Sequence, residues 1–189
     1  MCGRYVLFSD TEIAEIREIL EEVQRRSEGV KTGEIFPTDK APVLIQDQGL
    51  IVPEAVKWGF PNFRTKGVVI NARSETVTEK TLFKRSLETK RCIIPSTGFY
   101  EWSHTGPKTK YQFNLPGSGA LYMGGLYNDF DGERRFVILT TDANDSIKEI
   151  HNRMPVVLTH SEMERWMWSY KDALDILKTE RPELVKSPA

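Results

Sequence analysis

From Thr32 onward the chain is a succession of short apolar runs, each closed by glycine, proline or aspartate before it reaches helical length. Val43-Leu44-Ile45, Ala55–Trp58, Val68–Ile70, Cys92–Ile94, Gly98–Trp102, Tyr111–Leu115, Leu121–Leu126 and Arg135–Thr141 read as strands. Pro37, Pro42, Pro116-Gly117-Ser118-Gly119 and Asp131-Gly132 punctuate them. Helical patterns are few. Ser9-Asp10-Thr11-Glu12 forms a capping box ahead of Ile13, Ile16, Leu20 and Val23 on one face. A second helix is expected around Glu79–Thr89. A short one, capped by Asn144 or Asp145, should run to about His151, and another should open at the box Ser161-Glu162-Met163-Glu164. Strands in series with scattered helices predict an α+β fold on a curved, mostly antiparallel sheet. The β-α-β rhythm and the glycine-rich strand-to-helix turn are both missing, which excludes a dinucleotide fold and a P-loop.

At 189 residues the chain suits a single domain, 1–189, with 161–189 expected as a helical C-terminal extension of it. No apolar run approaches the roughly 18 residues of a membrane span, and the N-terminus lacks the basic and apolar regions of a signal peptide. Cys2 and Cys92 make no disulfide framework and suit a reducing cytoplasm. With His104, His151 and His160 scattered, they show no metal-ligand spacing, so no metal and no cofactor are expected. Net charge is −1, against a non-specific binder of long duplex DNA. Residues 57–110, however, hold 11 basic and 4 acidic side chains, a local excess of 7 that suits a short run of phosphates.

Four stretches look unlike scaffold. Met1-Cys2-Gly3-Arg4-Tyr5 would, once Met1 is removed, expose an amine and a thiol on adjacent carbons, both partly reactive near neutrality. Pro95-Ser96-Thr97-Gly98-Phe99-Tyr100-Glu101-Trp102 sets a carboxylate between aromatics, where packing would raise its pKa unless strand alternation turns it to solvent. His151-Asn152-Arg153-Met154-Pro155 places a histidine, the side chain most easily titrated at physiological pH, beside a bend. Trp58-Gly59-Phe60-Pro61 offers rigid rings for stacking. In Ile70-Asn71-Ala72-Arg73-Ser74-Glu75, Asn71 and Arg73 share one strand face.

In this order, these motifs resemble the SOS response-associated peptidase (SRAP) family, from Cys2 to about Trp168. The resemblance implies a barrel-like core with peripheral helices. It also implies a protein that senses abasic sites in single-stranded DNA and shields them in the DNA damage response. The shield is a covalent thiazolidine link through Cys2, formed after Met1 is removed, with self-cleavage and lyase-type chemistry as associated activities. On this resemblance Cys2 is the nucleophile, with Asn71, Glu101 and His151 as its catalytic partners. Arg4, Arg73 and Arg153 contact DNA, Trp58 and Phe60 form an aromatic wedge, and Thr140 touches the backbone. A monomer without membrane attachment is expected, acting in the cytoplasm at damaged DNA of the nucleoid. Glu34-Ile35-Phe36-Pro37-Thr38 departs from the asparagine and Ala-Pro that many relatives carry there. The rival readings are an N-terminal-cysteine amidohydrolase, a peptidase acting on other proteins, and a non-covalent single-stranded DNA binder. The amidohydrolase would need an Arg-Gly-Pro-Asp type motif, and the chain has only Thr105-Gly106-Pro107-Lys108.

Overall fold

The expected strands pair, mostly antiparallel, in two larger sheets and one two-stranded hairpin of a computed structural model that describes residues 3–9, 12–103, 106–117 and 119–189. Strand β1 (Tyr5–Leu7) precedes helix α1 (Ala14–Arg26), β2 (Gly33–Ile35) and a long hairpin of β3 (Lys40–Asp47) and β4 (Leu50–Trp58). A small hairpin, β5 (Phe60–Pro61) and β6 (Val68–Val69), leads to β7 (Asn71–Arg73) and α2 (Thr81–Thr89). Then come β8 (Arg91–Ser96), β9 (Gly98–Trp102), β10 (Lys110–Asn114), β11 (Leu121–Phe130) and β12 (Glu133–Asp142). The chain finishes with β13 (Arg153–Pro155), β14 (Val157–Leu158), α3 (His160–Trp168), α4 (Tyr170–Ile176) and β15 (Val185–Pro188).

Strands β12, β4, β3, β8 and β11 pair in sequence, and β11 pairs back to β12, closing a five-stranded barrel. Closure removes the open edges a flat sheet would expose. Only the contacts of β4 and β7 with β12 are parallel. Both lie along one edge of β12, Trp58 opposite Phe136 and Asn71 opposite Ile138, so the β5–β6 hairpin is an excursion from that edge. The second sheet runs β15-β10-β9-β1-β2. The chain crosses into it at Gly98, whose φ of +143° and lack of a side chain are both needed. A Cβ there would sit 2.9 Å from the Phe113 carbonyl oxygen.

Four expectations shift. Helix α1 starts at Ala14 with Ile13 as its N-cap and no side-chain cap, so the Ser9–Glu12 box does not cap it; Asp10 and Thr11 lie outside the described residues. Residues 145–150 form successive turns instead of a helix, with Asn144 Oδ1 accepting from the Ser146 N–H. Helix α3 uses Thr159 and Glu162 as its capping box, two residues before the expected one. The C-terminal segment is also not wholly helical. Arg181, buried, donates to the carbonyls of Val157 and Ile176, and β15 then covers the edge of β10.

Candidate functional site

The N-terminal strand is held between two others. Tyr5 lies opposite Ile35 on one side and Phe99 on the other, and the Tyr100 N–H donates to the Arg4 carbonyl at 2.9 Å. Arg4 and Tyr5 are thereby held against β9, the strand that carries Glu101. Cys2 itself lies outside the described residues. Alternation along β9 sends Phe99 and Glu101 to the same face. That face is the interior: Tyr5, Ile35, Phe99 and Phe113 are fully buried and Glu101 is 4% exposed. Glu101 is therefore not on a solvent face, and burial pushes its carboxyl above the ordinary value.

The opposite face of the same strands carries Arg4. Its guanidinium lies 4.1 Å from the Phe36 ring centre and 5.1 Å from that of Trp102, and it donates to Glu34 at 3.2 Å. Lys110 donates to the same Glu34 oxygen at 2.7 Å. Arg4 is thus stacked and ion-paired across the sheet from Glu101, where it secures the N-terminal strand. Glu34, on β2, and Phe36, just beyond that strand, are among the residues that hold it.

A second group forms where β7, β12 and β13 meet. Arg73 lies opposite Thr140 and is exposed, with no ion pair among the described residues. Thr140 is fully buried, and its carbonyl accepts from the Ser74 N–H at 2.9 Å and from Arg153 Nη2 at 2.7 Å. Arg153 is 6% exposed and heavily engaged. Nη1 donates to Glu75 Oε1 at 2.8 Å and Asp142 Oδ1 at 2.6 Å, and Nη2 donates to Glu75 Oε2 at 2.8 Å. Burial works against both charges, yet the mutual bonds win, leaving the Glu75 carboxyl below and the Arg153 guanidinium above their ordinary values. The main chain of Arg153 meets His151, which is 9% exposed: its N–H donates to Nδ1 at 2.9 Å and its carbonyl stands 3.2 Å from the same atom. Nδ1 thus has a backbone donor when it is unprotonated and a backbone acceptor when it carries a proton.

Trp58 joins the two groups. Its ring meets Tyr5 edge-on at 5.3 Å and stacks on Phe136 at 6.1 Å, while Nε1 donates to the Ile70 carbonyl beside Asn71. Trp58 and Phe60 are both fully buried, so neither presents a face for stacking, and the wedge expected of them is corrected to a core role. The most exposed aromatic ring among the described residues is Phe63, at 78%. It follows the turn at Asn62, whose Oδ1 accepts from the Arg64 N–H, and it borders a cavity of about 460 Å³ with Arg64, Lys80, Leu82 and Phe83 among its walls. An aromatic set at a turn tip was the signal for it.

Comparison with known proteins decides the family. The family model described as SOS response associated peptidase (SRAP) matches residues 1–186. This chain belongs to the SRAP family. The abasic site processing protein YoaM of Bacillus subtilis is 31% identical over 95% of this chain and 84% of its own length. Escherichia coli YedK, also called an abasic site processing protein, is 27% identical over 88% of this chain and 79% of its own. Among solved structures, a Bacteroides thetaiotaomicron protein superposes with a TM-score of 0.79 at 23% identity, covering 99% of this chain and 91% of that one. A Bordetella bronchiseptica protein gives 0.76 at 22% identity, covering 100% and 99%. The SRAP fold of this chain is thus shared with both.

Proposed function

We propose that this SRAP protein processes abasic sites in single-stranded DNA by capturing them covalently on Cys2 after Met1 has been removed. The observation that carries the reading is Glu101, a buried carboxyl with a raised pKa on the strand that pairs with β1. A carboxyl raised in this way keeps its proton more readily than an ordinary glutamate and is suited to exchange it with an amine.

In the proposed reaction the Cys2 α-amine attacks the aldehyde carbon of the ring-opened deoxyribose, and loss of water gives a Schiff base. The Cys2 thiol adds to the same carbon, its proton passes to the nitrogen, and a five-membered thiazolidine closes. Only an N-terminal cysteine supplies both nucleophiles at this spacing. Glu101 moves protons at the amine and stabilises the iminium. His151 exchanges a proton with the sugar oxygen, and the two backbone groups at Nδ1 accommodate either charge state. Asn71 orients Cys2. Arg73 takes a phosphate and Phe63 a base, so the stacking role moves from the buried pair to the exposed ring.

The test is incubation of Met1-processed protein with single-stranded DNA bearing one abasic site, followed by heat denaturation and electrophoresis. A heat-stable shifted band that disappears in Cys2→Ala, while non-covalent binding survives, is the expected result. No band from protein with a verified free Cys2 overturns the reading. Glutamine hydrolysis without aldehyde capture would favour the amidohydrolase.

A further inference from the structure

The Arg153 guanidinium has four terminal N–H groups, and Glu75, Asp142 and Thr140 accept from both of its terminal nitrogens. An arginine this engaged and 6% exposed is poorly placed to take a phosphate, since a phosphate oxygen would have to displace Glu75 or Asp142. What the clamp does accomplish is mechanical. Glu75 lies two residues beyond Arg73 at the end of β7, Thr140 and Asp142 lie on β12, and Arg153 opens β13. One side chain therefore ties three strand ends together. The backbone of Arg153 is also the partner of His151 Nδ1, and the strand leading to Glu75 begins with Asn71.

We infer that Glu75 is a positioning residue: by holding the Arg153 guanidinium in both its oxygens, it fixes the peptide that orients His151 and the strand that carries Asn71. The inference rests on the covalent-capture reading for its rate assay and stands apart from it in a second, DNA-free measurement. Glu75, just beyond the end of β7, is joined to Arg153 of β13 through paired, charge-assisted bonds, and such forked contacts restrict orientation as well as distance. Asp142 alone cannot replace it, because Asp142 and Arg153 face each other across the β12–β13 pair, a contact that leaves β7 joined to β12 by backbone pairing alone.

The experiment compares wild type, Glu75→Gln and Glu75→Ala, each Met1-processed, in single-turnover capture of an abasic single strand. Gln keeps the shape and one acceptor, so the expected order of saturating rates is Glu, then Gln, then Ala. The total loss should be on the order of tenfold to a hundredfold, as for a small misplacement of reacting groups. The DNA concentration giving half-saturation should stay within about twofold. A lowered melting temperature with an unchanged saturating rate assigns Glu75 a purely structural role and overturns the inference. Tighter binding and a steeper salt dependence at an unchanged rate show Arg153 to be a phosphate ligand released by the substitution, and overturn it too. Nitrogen NMR of the His151 ring, assigned with His151→Asn, needs no DNA. It should show one neutral tautomer in wild type, held by the Arg153 peptide, and a mixture of tautomers in Glu75→Gln. Identical spectra sink the inference whatever becomes of the capture assay, and an absent capture band in wild type sinks only the functional reading.

Discussion

The indole of Trp58 donates to the carbonyl of Ile70 at 3.0 Å, although the two stand twelve positions apart in sequence. The same ring packs against Tyr5, the first residue of the N-terminal strand. One buried side chain therefore sets the spacing between the N-terminal strand and the strand that carries Asn71.

Substituting this ring should be costly in two stages. Trp58→Phe loses the hydrogen bond and part of the volume, on the order of 2 kcal/mol; Trp58→Ala empties a fully buried site, about 3–5 kcal/mol. Urea unfolding followed by circular dichroism measures both. A Phe variant as stable as wild type would show that the hairpin excursion is held by other contacts.

Glu101 should be a stability liability kept for chemistry. Its carboxyl pKa is raised by burial, so the folded protein keeps a proton that the unfolded chain has already released. Protons bound then number more in the folded state, and the stability contributed falls as pH rises from the ordinary glutamate range through the raised folded value. Above that value the penalty is constant. Glu101→Gln carries no such dependence, and it should be more stable than wild type at neutral pH while losing covalent capture. Urea midpoints of the two proteins across pH 4 to 8 make the comparison, and parallel curves would contradict it.

Strand positions were legible in the sequence because period-two runs and turn residues are local signals. Gly98–Trp102 and the helix ending at Thr89 match closely. Contacts that depend on distant pairing were not legible. Trp58 and Phe60 look like a surface aromatic motif until the parallel pairing of β4 with β12 buries them against Phe136 and Phe130. Similarly, Thr159/Glu162 and Ser161/Glu164 both satisfy the spacing of a capping box. The structure uses the first, whose Glu162 also faces the buried Arg181 across 19 residues of chain. Glu75 was in plain view within the Asn71–Glu75 motif, yet its tie to Arg153 spans 78 residues and needs the fold to be seen.

Phe63 and Phe60 should separate cleanly under alanine substitution. Phe63→Ala removes an exposed ring, so stability should hold within about 0.5 kcal/mol. Affinity for a single strand should fall by about 1–3 kcal/mol, the worth of one stacked base. Phe60→Ala should instead cost about 3–5 kcal/mol of stability. Fluorescence anisotropy with a lesion-free oligonucleotide, run beside thermal melts, tells them apart. Unchanged affinity in Phe63→Ala would place the strand elsewhere.

Arg73 is the cation on which backbone recognition should depend. It is exposed and has no ion pair among the described residues, whereas Arg4 is stacked beside Glu34 and Arg153 is clamped by Glu75 and Asp142. An unencumbered guanidinium releases a counterion when it meets a phosphate, and each such contact on a single strand adds about 0.7 to the slope of log affinity against log salt. Arg73→Ala should therefore weaken binding of every sequence alike and flatten that slope by about 0.7, with the melting temperature unmoved. The three arginines can be ranked by the same titration. If Arg4→Ala flattened the slope as much as Arg73→Ala, the outer face of the second sheet would have to belong to the DNA path. If it lowered stability and left the slope alone, Arg4 would be the fastening of the N-terminal strand that its two aromatic contacts describe.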